Sequence, residues 1–264
     1  MVITTVITMV VIMDRIIDIH THILPGVDDG AKTIDDSRRI IEYLKKAGTT
    51  DIVLTSHYIK GSNYKFNALV RSKILEELKK FIDLDGINLY LGNEVYLCDD
   101  VIELFEKHEI CTLNNSKYML VELPLNTYLK NFPNILCDIS DYGIVPIIAH
   151  PERYRFLQKD KKRLKELFEF DCLLQCNVES LTGKYGKNAK KLCKWLLKKD
   201  LVSFVASDVH YPSNPRNLYK AYKKLCKLVG PEKFRELTYL NPKIVLENKD
   251  ITSKFDYFWK EKTW

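Results

Sequence analysis

Residues 16–57, IIDIHTHILPGVDDGAKTIDDSRRIIEYLKKAGTTDIVLTSH, hold the pattern on which the fold turns. A β-branched run (16–20) ends on a histidine, a polar turn and a helical segment follow, and a second run (51–55) leads to another histidine. Inside the helical segment Thr33 and Asp36 have capping-box spacing. Ile34, Ile40, Ile41 and Leu44 then recur at helical intervals until Gly48 stops the helix. A strand, a crossover helix and a second strand in that order make a parallel pair with a right-handed connection.

Five more runs repeat the unit: INLYL (87–91), KYMLVE (117–122), VPIIA (145–149), CLLQC (172–176) and LVSFV (201–205). Helical spacing recurs between them, as in Leu75, Leu78 and Phe81, in Leu164, Leu167 and Phe168, and in Leu192, Trp195 and Leu196. Strands that are apolar nearly throughout are covered on both faces. With 264 residues, 46% of them hydrophobic, the chain can build one large core or two small domains. No Pro/Gly/Ser linker divides it, so the reading is one α/β barrel of seven or eight units. The barrel is expected over residues 16–250, with an apolar extension or upstream start at 1–15 and an aromatic tail at 251–264.

Composition narrows the chemistry. The net charge of +6 comes from lysines scattered along helices (Lys45, Lys46, Lys79, Lys80, Lys161, Lys162, Lys198, Lys199), a solvated face that does not indicate nucleic acid. Seven cysteines with no CxxC spacing give no disulfide framework, and a reducing cytoplasm is the expected home. The uncharged start, MVITTVITMVVIM, is too short to span a bilayer and lacks the basic start and cleavage site of a signal peptide.

Five of the six histidines stand just after these strands: His20, His22, His57, His150 and His210. Carboxylates take equivalent places in Asp28, Asp29, Glu94, Glu122 and Asp208. In a parallel barrel every such position opens onto one face, so these residues converge. Any one alone reads as a hydrogen-bonded loop residue. Together they form a donor set for two or three Zn, Mn or Fe ions, with Glu94 a natural bridge. Three divalent ions against Asp29, Glu94, Glu122 and Asp208 leave a site of about +2, suited to a phosphate dianion. Arg153 and Arg216 lie close in sequence and could clamp that phosphate. Rival chemistries lack their motifs: no cysteine is followed by C-x5-R spacing, and no phosphate loop or G-x-S-x-G elbow occurs. FIDLDGI (81–87) follows an amphipathic helix and reads as a turn, not as an aspartate nucleophile.

DIHTHILPGVDDG, TSHYIKG, LGNEVY, LVELPLNT, IAHPERY and ASDVH, in this order, resemble the polymerase and histidinol phosphatase (PHP) superfamily. The branch they resemble is the manganese-dependent protein-tyrosine phosphatases of bacterial capsule and exopolysaccharide synthesis. The resemblance runs from about Ile16 to Val245. It implies the PHP fold, a distorted (β/α)7 TIM-like barrel, and activity on phosphotyrosine of a bacterial tyrosine autokinase. It makes His20, His22, Glu94 and Asp208 ligands of one ion, with Glu94 bridging to a second held by Glu122 and His150. Asp29, His57 and His210 would hold a third, and Asp28 would be a supporting neighbour. The ions are expected to be Mn²⁺, with Fe, Zn, Co or Mg as alternatives. The implied chemistry is one-step hydrolysis by metal-activated hydroxide, with Arg153, Arg216 and His57 as catalytic residues. The loop HYIKGSNYKF (57–66) is placed to edge the bowl. The rival readings are a small-molecule phosphatase such as one for histidinol phosphate, a nucleic-acid phosphoesterase, or a regulatory partner of the assembly machinery.

Overall fold

The computed structural model describes residues 15–211 and 215–251, so expectations placed on 1–14 and on 252–264 lie outside the described residues. All seven expected strands form. They are β1 (Ile16–Thr21), β2 (Thr49–Leu54), β4 (Asn88–Leu91), β6 (Tyr118–Glu122), β7 (Val145–Ala149), β8 (Leu173–Asn177) and β9 (Phe204–Ala206). Two short strands were not read from the sequence: β3 (His57–Tyr58) and β5 (Glu94–Tyr96). They continue β2 and β4 after interruptions at Thr55-Ser56 and Gly92-Asn93.

Every ladder is parallel, in the orders β1-β2-β4 and β3-β5-β6-β7-β8-β9. Backbone bonds carry the sheet across the interruptions: the Gly92 amide donates to Leu54 O at 3.1 Å and the Glu94 amide to Thr55 O at 3.1 Å. At the other seam Thr21 bridges Val209 in parallel, and the amides of Asp208 and His22 donate to His20 O and Val209 O. The result is the distorted seven-unit barrel that the alternation of strands and helices implies.

Two apolar layers follow from the period of two along each strand. Ile17, Ile19, Val53, Tyr118, Leu120, Ile147, Leu173 and Phe204 point inward and fill the barrel. Met119, Val121, Ile148, Leu174 and Val205 point outward against the helices. In the first helix, α1 (Ile34–Lys45), the Asp36 amide donates to Thr33 Oγ1 at 3.1 Å and the Thr33 amide to Asp36 Oδ2 at 3.0 Å, the expected capping box. Its Ile40, Ile41 and Leu44 are buried, each contributing about 1.5–3 kcal/mol. α2 (Ala68–Phe81) follows β3, and its end leaves Asp83 and Asp85 in an exposed turn, as FIDLDGI implied. At the opposite end from the histidines, the Lys117 amide donates to Asn248 and the Tyr118 hydroxyl to Lys249 O, so the C-terminal segment covers the N-terminal ends of the strands.

Candidate metal centre

A β-bulge turns the H-x-H pair into the bowl. Asp18 pairs with Ile52 and Thr21 with Leu54, so three steps along β1 match two along β2. The extra residue reverses the alternation: Ile17 and Ile19 fill the barrel below, and His20 and His22 face the same side above them. Glu94 and Glu122 reach the bowl by ordinary alternation, in phase with Tyr90 and with Leu120. His150 and Asp208 are aimed by left-handed backbone (φ 34° and 53°), a conformation that costs an L-residue about 1–2 kcal/mol.

Nine of the residues expected to bind metal come together here. His20 Nε2 and His22 Nε2 lie 3.2 Å apart, at 3.1 and 3.3 Å from Glu94 Oε2 and both at 3.4 Å from Asp208 Oδ1. Donors about 2.1 Å from a common ion stand roughly 3.0–3.4 Å from one another in octahedral or tetrahedral geometry. The other Glu94 oxygen, Oε1, is 2.9 Å from His150 Nε2, which is 3.6 Å from Glu122 Oε1. A third group sits nearer the mouth, where Asp29 Oδ1 lies 3.6 Å from His57 Nε2 and 3.3 Å from His210 Nε2. His57 also links the groups, since its Nδ1 is 3.1 Å from Glu94 Oε2.

The polar neighbours prepare the set for cations. The Nδ1 of His20 pairs with Gln175 Oε1 and that of His22 with Asp28 Oδ2, both at 2.8 Å, which leaves each Nε2 lone pair aimed inward. Among the described residues, Glu94 Oε2, Asp208 Oδ1 and Asp29 Oδ1 are buried without a hydrogen-bond donor. Buried carboxylate oxygens facing imidazole lone pairs call for positive charge between them. The residues present therefore fit divalent ions.

Asp28 and Asp29, adjacent in sequence, divide the work. Asp28 turns away from the cluster centre, pairs with His22, and accepts the amides of Gly30 (2.9 Å) and His57 (3.0 Å). Although burial opposes it, His22 and these bonds hold its carboxyl below the usual range. Gly30 is locked against the same strand: a Cβ there would lie 2.1 Å from His22 O. Gly30→Ala is therefore expected to displace His22, lowering both bound metal and turnover by more than ten-fold. Full metal content with normal turnover would show that the loop yields instead.

Protons and metal ions compete at this site. Burial, reinforced by the charge of Glu94, raises Glu122 to about 9. For His20 burial works the other way, yet Glu94 and Asp208 outweigh it and hold the ring at about 9. Without ions, both groups keep protons at pH 7, and binding must expel them. Apparent metal affinity is thus expected to rise with pH up to about 9 and to flatten above it. Binding heats should differ between buffers of unlike ionisation enthalpy, and equal heats would contradict proton release.

Sequence reasoning missed several participants. Gln175 and Asn177 sit at alternate positions of β8, where Asn177 Nδ2 donates to Asp208 Oδ2 at 2.6 Å and Gln175 orients His20. Two amides with period two in an apolar strand were the available signal. Arg153 Nη1 donates to Asp208 Oδ2 at 3.0 Å, and its guanidinium lies 4.6 Å over the Tyr185 ring. The cluster floors a cavity of about 230 Å³ whose walls include Ile59, Tyr64 and Leu125. Ile59 and Tyr64 come from the loop at 57–66, while its Lys60 pairs with Asp100. The Arg216 side chain lies outside the described residues. Cys172 and Cys176 are buried in the outer layer, where burial holds both thiols well above the usual range.

The family model for capsular polysaccharide synthesis, CpsB/CapC, matches residues 16–247. The chain belongs to the CpsB/CapC family. It is 36% identical over 243 residues to the tyrosine-protein phosphatase CpsB of Streptococcus pneumoniae, covering 89% of this chain and all of that one. It is 31% identical to the tyrosine-protein phosphatase YwqE of Bacillus subtilis, over 89% of this chain and 93% of the other. Among solved structures it matches, with a TM-score of 0.81 and 30% identity, one from a study of YwqE and CpsB as metal-dependent tyrosine phosphatases. The match covers 90% of this chain and 96% of the other. Among the described residues of this family member, no helix is long and apolar enough to cross a membrane.

Proposed function

We propose that this protein is a metal-dependent protein-tyrosine phosphatase acting on a bacterial tyrosine autokinase in capsule or exopolysaccharide synthesis. The observation that carries the reading is the convergence of His20, His22, Glu94 and Asp208 at ligand spacing, with Glu94 reaching a second group through its other oxygen. In this reading those four residues hold one ion. Glu94, Glu122 and His150 hold a second, and Asp29, His57 and His210 a third, all three Mn²⁺. Divalent ions bound there supply Lewis-acid chemistry, neutralising phosphate charge and lowering the pKa of water.

The chain's own residues do the rest. Arg153, held by Asp208 at the cavity wall, presents its remaining N–H groups to phosphate oxygens. Arg216 is proposed as its companion. Ile59, Tyr64 and Leu125 give the mouth apolar walls that suit a phenyl ring. Burial pushes His57 below its ordinary range, so its imidazole is neutral and able to ligate at pH 7. Phenolate leaves with a pKa of about 10, so a strong general acid is unnecessary.

The test is a substrate panel on protein stripped by chelation and reloaded with Mn, Fe, Zn, Co or Mg singly. Chelation should abolish turnover, Mn²⁺ should restore it best, and elemental analysis should find more than one ion per chain. A phosphotyrosine peptide should give a higher kcat/KM than phosphoserine peptide, histidinol phosphate or a nucleic-acid diester. Preference for any of those three would overturn the tyrosine-phosphatase reading.

A further inference from the structure

Beside the candidate centre opens a second cavity of about 600 Å³, and Arg153 and Leu125 border both. Tyr185 joins them, its ring beneath the Arg153 guanidinium and its hydroxyl 3.4 Å from Asp208 Oδ2. The larger cavity is thus a continuation of the smaller one past Arg153. Its lining carries Arg155 and Lys187 as well as Arg153 and no carboxylate. Arg155 and Lys187 are exposed, and among the described residues neither makes an ion pair. Their neighbours differ: Lys184 pairs with Glu179 and Arg163 with Glu166. A groove lined by three cations, two of them without an ion pair among the described residues, attracts negative charge.

On the proposed function, a peptide that places its phosphotyrosine in the smaller cavity must carry its neighbouring residues over this groove. We propose that the groove is a specificity subsite for an acidic flank, taking a carboxylate side chain near the scissile phosphotyrosine between Arg155 and Lys187. The amides of Asn126 and Asn188, also on the lining, are available to the peptide backbone.

Two phosphotyrosine peptides of equal length, one flanked by Glu and one by Lys, test this on the metal-loaded protein. The readout is the ratio of their kcat/KM values. The acidic peptide should be favoured by about ten-fold at low salt, mainly through KM, with the ratio shrinking as salt rises. In the double variant Arg155→Glu with Lys187→Glu the ratio should invert, and in Arg155→Ala with Lys187→Ala it should fall toward one. Arg155→Lys should keep it. A ratio near one in the unaltered protein, or one that the charge reversal leaves intact, overturns the subsite while the tyrosine-phosphatase reading stands. Hydrolysis of neither peptide overturns that reading, and the subsite with it.

Discussion

Replacing Glu94 by glutamine is expected to reduce kcat by about 10³-fold or more and to cost at least one bound ion per chain. The side chain keeps its shape but loses its charge, and one oxygen becomes an amide nitrogen with no lone pair to offer. In the native protein Oε2 stands within 3.3 Å of nitrogens from His20, His22 and His57, while Oε1 stands 2.9 Å from His150. One substitution therefore disturbs every group of candidate ligands. Asp28→Asn makes the comparison: it alters what supports His22 and the amides of Gly30 and His57, where losses of about 10- to 100-fold are usual. Turnover and elemental analysis on the same samples decide the matter. A loss below ten-fold with full metal content would mean that Glu94 does not bridge.

Arg71→Leu should be the most destabilising single change in the frame of the site. Arg71 lies on α2, wholly buried, with no carboxylate partner among the described residues. Its Nε donates to Phe66 O at 3.1 Å, Nη1 to Gly92 O, and Nη2 to Asn93 Oδ1 at 2.5 Å. Asn93 in turn donates to Ser56 O and accepts the Cys111 amide. The guanidinium thereby stitches the gap between β4 and β5, just before Glu94. Leucine fills much of the volume but strands the carbonyls of Phe66 and Gly92, a cost of about 3–5 kcal/mol. Thermal unfolding should shift down by roughly 6–20 °C at the usual 2–4 °C per kcal/mol for chains of this size. A shift within 2 °C would show that water or rearrangement satisfies those carbonyls.

Most of the seven main strands were legible because they are buried on both faces and so read as nearly continuous apolar runs, while β4, only partly buried, was legible from Leu89, Tyr90 and Leu91 alone. β3 and β5 were not, since each is only two or three residues long and begins with a polar site residue, His57 or Glu94. The site residues were legible as a set because the barrel topology sends every strand end to one face. Residue pattern alone did not separate Asp28 from Asp29, and the resemblance supplied the choice: adjacent carboxylates look alike until the backbone turns one toward Gly30 and the other toward His210. Arg71, Gln175 and Gly30 stayed hidden for a related reason. Gly30 meets His22, Arg71 meets Asn93 and Gln175 meets His20 across 8, 22 and 155 residues of chain, which local periodicity does not register.

The bulge in β1 has a consequence for anyone who would redesign or trace the descent of this barrel. Deleting one residue between Asp18 and Thr21 would give a cleaner ladder with β2 and a more regular sheet. With Ile19 as the one removed, Thr21 stays opposite Leu54 and both histidines keep facing the bowl, but the apolar layer beneath them loses a side chain. Regularity and packing pull in opposite directions at that one residue, so a blueprint built from ideal strands would aim the histidines correctly over a thinner floor. Read the other way, one extra residue lets positions 17–22 send four side chains to the same face where an ideal strand would send three, two apolar ones to the floor of the bowl and two histidines above them.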